Sequence, residues 1–205
     1  MKKSLYNQEY FEERAYLDPK IASSVEILAK TNALKTVLDV GCGTGKLVEY
    51  LNKRGFETYG CDPYAKVSAD KIFTKASATK LPFKNKSFDL ITSISVIEHL
   101  KKSEVIKFIA EVKRVLNDSG HIFLVTPNYN SMWRIILGKR WFGYSDPTHI
   151  NFYTPSSLSK LLKEYGFKKI TFSFKTRNLG FTDFLLVSTF LWRVRNSFYV
   201  SGQKR

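Results

Sequence analysis

Two acids and three glycines carry the first chemical signal. Asp39 precedes Gly41, Gly43 and Gly45 in LDVGCGTG, and Asp62 follows in TYGCDP. Glycine permits a tight turn and lets a ligand touch the main chain. A helix starting after such a loop offers unpaired N–H groups and the positive end of its dipole. A dinucleotide fold spaces its glycines GxGxxG to seat a pyrophosphate. Here the spacing is GxGxG with an acid in front, which suits a ligand bearing a positive group. Asp62 lies at roughly the twenty-residue offset where nucleotide-binding folds place an acid on ribose hydroxyls. Each feature alone also reads as an ordinary turn, and the pair together points to a nucleoside.

The chain has three histidines for acid–base work. His121 begins an apolar run in GHIFL and reads as structural. His99, in IEHL, reads either as a helix-start residue packing the sheet edge or as a base near the ligand. His149, in SDPTHINFY, is the first candidate for a base, with Asp146 and Glu98 behind it; its other reading is a loop hydrogen bond. Cys42 and Cys61 show no zinc spacing, so no metal site is expected, and reduced thiols in a cytoplasmic protein are the simplest inference.

These residues must be positioned by alternating strands and helices. Strands are expected over 36–40, 56–61, 71–75, 88–95, 121–126, 170–175 and 197–203, and helices over 9–16, 21–30, 46–54, 103–116, 155–165 and 181–195. Ser103 should cap one helix, and Thr154 another with Pro155 at its first position. Such alternation implies an α/β fold, a parallel sheet covered on both faces, with ligands at the carboxyl ends of the strands. The candidate residues lie just after strands.

A third segment, ASATKLPFKNKSFDLITSISVIEHL, completes a pattern. With VLDVGCGTG, RVLNDSGHIFLVTPN and DPTHINFYTPSSLSKLLKEYGF, it resembles class I S-adenosylmethionine-dependent methyltransferases of the small-molecule type (methyltransferase 11/23-like), from about Tyr6 to Gly166. The resemblance implies a single Rossmann-like domain over 1–205 with a seven-stranded, mostly parallel sheet whose last strand is antiparallel. Residues 1–34 would form a helical cap, 128–154 a lid over the acceptor, and 181–195 an apolar helix between the last two strands. It implies S-adenosyl-L-methionine as cofactor. Asp39 and the backbone of Gly41, Cys42 and Gly43 would surround the methionine part, and Gly45 would open the helix near the ribose. Asp62 would take the ribose hydroxyls, with Pro63 beside the adenine and Ala78 offering its N–H to an adenine nitrogen. Ser77 stands where the family usually has an acid. Ser93 and Ser95 end the fourth strand, where a main-chain carbonyl would receive the ammonium.

Methyl transfer needs alignment above all, and a hydroxyl acceptor also needs a base. The expected reaction is O-methylation of a small-molecule, glycan or lipid-linked acceptor. Formal charge is +15, which also suits RNA or an anionic membrane surface. SVIEHL carries no Asn/Asp-Pro-Pro-aromatic run for a flipped base, and no cysteine follows that strand, so a nucleic-acid methylase is disfavoured. A non-catalytic cofactor-binding module is the other alternative. Trp133, Trp141 and Phe142 beside Arg134, Lys139 and Arg140 suit stacking on an acceptor or packing of a lid. Residues 181–195 suit peripheral membrane contact, packing, or a homodimer face.

Overall fold

The computed structural model describes residues 16–64, 72–173 and 197–205. The expected helices over 9–16 and 181–195 lie essentially outside them. Helix α1 (Pro19–Thr31) starts because Asp18 Oδ1 accepts from the Lys20 N–H at 2.8 Å, and Pro19 takes the first helical position. The Asp-Pro pair thus opens this helix. Its inner residues Ala22, Val25 and Ala29 are fully buried.

The next elements are β1 (Thr36–Val40), α2 (Lys46–Asn52), β2 (Glu57–Asp62), β3 (Phe73–Lys75) and β4 (Phe88–Ile94). A 3-10 turn over Ile97–His99 leads into α3 (Lys102–Val115). Its cap is not Ser103: Glu104 reaches back and accepts from the Lys101 N–H at 2.7 Å, moving the start one residue earlier. Strand β5 runs over Leu116–Pro127. The strand expected from 121 thus begins five residues earlier, and 117–120 is absorbed as an irregularity in the β4–β5 ladder, with Ser119 at φ +63°. After residues 128–154, the segment expected as a lid and so labelled below, α6 (Pro155–Glu164) starts at a reciprocal cap between Thr154 and Ser157. Two strands follow, β6 (Phe167–Ser173) and β7 (Ser197–Lys204). The lid itself holds two short helices, α4 (Met132–Leu137) and α5 (Phe142–Ser145).

The sheet has seven strands in the order β3-β2-β1-β4-β5-β7-β6. Strands β1 to β5 pair in parallel, and β7 runs antiparallel to both of its neighbours. Alternate residues of each strand enter opposite cores. Leu38, Ile91, Ile122 and Leu124 pack with α3 and α6, whereas Val37, Leu90, Phe123 and Val125 pack with α1 and α2. Fully burying one such residue, for example Phe108, contributes roughly 1.5–3 kcal/mol. The carboxyl ends of β1, β2 and β4 converge on one rim, and the site lies there.

Candidate active site

The glycine loop follows β1. Gly41, Gly43 and Gly45 have φ of +78°, +51° and +79°, a region that disfavours side chains. Two of them are also fixed by the protein's own packing. A Cβ on Gly41 would lie 2.2 Å from Val96 Cγ2, and one on Gly45 would lie 2.4 Å from the Phe73 ring. The Gly43 N–H donates to Asp62 Oδ2 at 3.2 Å, and the Tyr64 N–H donates to Asp62 Oδ1 at 2.8 Å. Asp62 therefore ties the loop to the end of β2. Burial raises its pKa, and the two N–H donors oppose the rise.

Asp39 is buried, and its Oδ1 accepts from the Thr92 hydroxyl at 2.7 Å. Burial pushes its pKa up to about 7; the Thr92 bond opposes this, and the Asp62 charge adds to it. The thiols are not nucleophiles: burial pushes Cys61 up to about 12 and raises Cys42 as well.

Asp39, Gly41, Cys42, Gly43, Asp62, Pro63, Ser77, Ala78 and Ser95 line one cleft of about 610 Å³. Tyr16 and Leu17, ahead of α1, line it too, whereas α1 itself packs on the sheet. Two expected residues stand back. Gly45 seats α2 against Phe73, and the Ser93 hydroxyl donates to the Val40 carbonyl at 2.9 Å, tying β4 to β1. Ser77 Oγ accepts from the Thr79 N–H at 3.2 Å and so also forms a local turn.

At the other end of the cleft stand His99, Phe142, Ser145, Asp146 and His149. The lid reaches His99's turn through main-chain bonds. The N–H groups of Ile150 and Asn151 donate to the Glu98 carbonyl at 2.9 and 3.0 Å, and the Asn151 amide donates to the Leu100 carbonyl. His149 Nδ1 lies 2.7 Å from the Gly143 carbonyl, which only accepts, so in the neutral imidazole the ring proton sits on Nδ1 and the lone pair on Nε2. Gly143 rests on the indole of Trp141; a Cβ there would lie 2.1 Å from the ring. Trp141 is fully buried among Tyr129, Phe142, Tyr144 and Phe152, so it is the lid's own core and no stacking surface for an acceptor. Arg134 likewise lies over the Tyr129 ring and donates to the Tyr129 carbonyl.

The sequence reading missed a cluster. One ligand-type atom from each of Glu98, His99 and His149 lies within 4.8 Å of the other two. The two imidazole centroids are 4.7 Å apart. Glu98 is buried, its Oε2 accepts from Thr126 at 3.1 Å, and Oε1 has no hydrogen-bond partner among the described residues. Burial pushes its pKa up to about 8, with the Asp146 charge adding and the Thr126 bond opposing. Only the proximity of Glu98 and His99 was visible in the sequence.

A family model described as a methyltransferase domain matches residues 11–171. A ubiquinone biosynthesis O-methyltransferase of Bartonella bacilliformis is 29% identical over 177 residues, covering 76% of this chain and 70% of that protein. A second such enzyme, from Dinoroseobacter shibae, is 26% identical and is covered over 60% of its length. Among solved structures, an S-adenosylmethionine-dependent methyltransferase from Archaeoglobus fulgidus superposes with a TM-score of 0.66 at 18% identity, over 97% of this chain and 100% of that one. A Burkholderia thailandensis N1-methyltransferase, crystallised with 1,6-didemethyltoxoflavin and S-adenosylhomocysteine, gives 0.61 at 14% identity, over 91% and 77%.

Proposed function

The chain belongs to the methyltransferase-domain family and is an S-adenosylmethionine-dependent methyltransferase, and on that premise we propose that its acceptor is a hydroxyl oxygen on a small or lipid-linked molecule. The lining of the cleft suits the cofactor. Two buried acids, Asp39 and Asp62, make no ion pair with a lysine or arginine among the described residues, and they face a ligand that carries a cation and a diol. Asp39 and the loop backbone would hold the methionine part, Asp62 the ribose hydroxyls, and Pro63, Ser77 and Ala78 the adenine. When bound, the cofactor supplies a methyl group on a positively charged sulfur.

The observation that carries the oxygen reading is the state of His149. Its Nδ1 proton is held by the Gly143 carbonyl, and it lines the same cleft as the glycine loop. Nε2 is thereby the proton-accepting atom of the ring. Deprotonating a hydroxyl as it attacks is the task that such a group performs. The lid supports this role by fixing the ring from behind through Trp141 and Gly143. The names of the ubiquinone-biosynthesis relatives are consistent with an O-methyl product.

The test uses S-adenosylmethionine labelled in its methyl group, incubated with the protein and a lipid and small-molecule extract of cells. One labelled product is expected, and its label should survive the mild hydrolysis that releases methyl esters, as an aryl or alkyl ether does. His149→Ala should slow labelling roughly 10²-fold, the scale of general-base catalysis, while calorimetry shows S-adenosylhomocysteine binding unchanged. Label in co-purified RNA would favour the RNA reading instead. Cofactor binding with no labelled product in any fraction would favour a non-catalytic module.

A further inference from the structure

His99 is anchored as deliberately as His149, through a different pair of residues. Its Nδ1 lies 2.8 Å from the Thr148 hydroxyl, and that hydroxyl donates to Asp146 Oδ1 at 2.5 Å. The same carboxylate oxygen accepts from the Thr148 N–H at 2.9 Å. A hydroxyl has one proton to give. Thr148 gives its proton to Asp146, so it must accept from His99, whose Nδ1 therefore carries the ring proton. Asp146 is an ionised acceptor: burial alone would raise its pKa, but the two bonds from Thr148 and the nearby His149 and His99 hold it below the usual carboxylate range.

The result is a chain of three groups, carboxylate to hydroxyl to imidazole, leading to the end of the cleft where His149 stands. Nothing in a cofactor site calls for it. Thr148 and Asp146 sit in the lid, whereas His99 sits on the turn after β4, so the chain also crosses from one part of the fold to the other.

We propose that Thr148 and Asp146 are positioning residues for His99, fixing its Nδ1 proton so that Nε2 serves as a second proton acceptor beside His149. This deepens the reading of an oxygen acceptor and rests on it. The step moves one proton. The acceptor's O–H bond breaks, its electron pair stays on the oxygen that attacks, and an N–H bond forms on His149 Nε2. Transfer of that proton to His99 Nε2 frees His149 again. The resulting imidazolium lies next to a hydroxyl already polarised by Asp146, which stabilises its charge in the manner of a base oriented by a third group. Release of the proton from His99 to water restores the starting state.

The test has two arms. Ring nitrogen shifts of histidine-labelled protein report the tautomer, with His99 assigned from its missing signals in His99→Gln and S-adenosylhomocysteine present throughout. Wild type should show His99 protonated on Nδ1. Thr148→Val, nearly the same shape, should lose that preference, and Thr148→Ser should keep it. In the labelling assay, with the same cell extract as acceptor probe, Thr148→Val should slow turnover about tenfold at unchanged KM for S-adenosylmethionine. Thr148→Ser should recover to within about threefold of wild type. An Nε2-protonated His99 in wild type, or an unchanged tautomer in Thr148→Val, overturns the proposal even if the extract yields no labelled product. Loss of wild-type labelling in EDTA would assign His99 to a cation and overturn it as well. Absence of labelling by wild type with the tautomers as expected counts against the oxygen-acceptor reading alone.

Discussion

At the scale of single residues, the two acids of the cleft do different work. Asp62 is held by two main-chain donors and binds the loop even before any ligand arrives. Asp62→Ala should therefore weaken S-adenosylhomocysteine binding by about 1.5–3 kcal/mol, the worth of a hydrogen bond to a charged group. Ser77 is the counterpart at the adenine end. Its hydroxyl already accepts from the Thr79 N–H, a bond that a carboxylate can also accept. Ser77→Asp should keep that turn, add a charged acceptor and tighten binding. Calorimetry on both variants checks the pair: unchanged affinity in each would place the nucleoside elsewhere. Asp39, Asp62 and the glycines were legible because their spacing is local. The anchors of the histidines were not. Gly143 and His149 are joined by a carbonyl that any residue has, and Thr148 meets His99 across 49 positions of chain. No local pattern announces either contact.

At the scale of elements, the start of α2 shows why a glycine can be required twice over. Gly45 combines a positive φ with a Cβ direction blocked by Phe73, whereas Gly55 has φ +84° and nothing within 4 Å. Gly55→Ala should cost only the left-handed backbone strain, about 1–2 kcal/mol. Gly45→Ala should cost about 1–3 kcal/mol more, the usual range for overpacking. Urea unfolding of the two variants provides the comparison, and equal losses would mean that Phe73 moves aside freely. The regular elements themselves were largely readable. An apolar run between turns marked β1, and Thr-Pro marked α6. The start of α3 was misread because the cap position is Lys101, whose N–H donates to Glu104, and not the more familiar serine. The aromatics of the lid left two readings in the sequence, stacking on an acceptor or packing of the lid. For Trp141 the packing reading holds, since the segment folds back to bring Tyr129, Phe142, Tyr144 and Phe152 around it.

At the scale of the whole molecule, stability should depend on pH in the direction opposite to ordinary acid denaturation. Glu98 is raised from 4.5 to about 8, so across that interval the folded chain holds a proton that the unfolded chain has lost. Stability then falls as pH rises through the interval and levels above about 8. Asp39 acts the same way between 3.8 and about 7. Glu26, Asp89 and Glu111, all lowered, remove stability instead as pH falls through the acid range. The thermal midpoint should therefore be lower at pH 9 than at pH 7, and Glu98→Gln should remove most of that difference. A wild-type midpoint that is flat or rising across this window would contradict a Glu98 carboxyl that stays protonated in the folded chain at neutral pH. No helix among the described residues is long and apolar enough to cross a membrane.

The position of β7 has a consequence for how the chain is made. β6 leaves the ribosome before β7, yet its ladder partner in the sheet is β7, and β5 pairs with β7 on its far side from β4. His121 of β5 finds Gln203 only after all the intervening sequence has been translated. Until then the nascent protein carries the parallel half of its sheet with β5 as an open border, bearing the apolar stretch Ile122–Val125. An unpaired border of that kind invites pairing with another copy. β7 is thus the strand that covers the β5 border and moves the open edge out to β6, and slow decoding between β6 and β7 would lengthen the interval in which such mispairing at β5 competes.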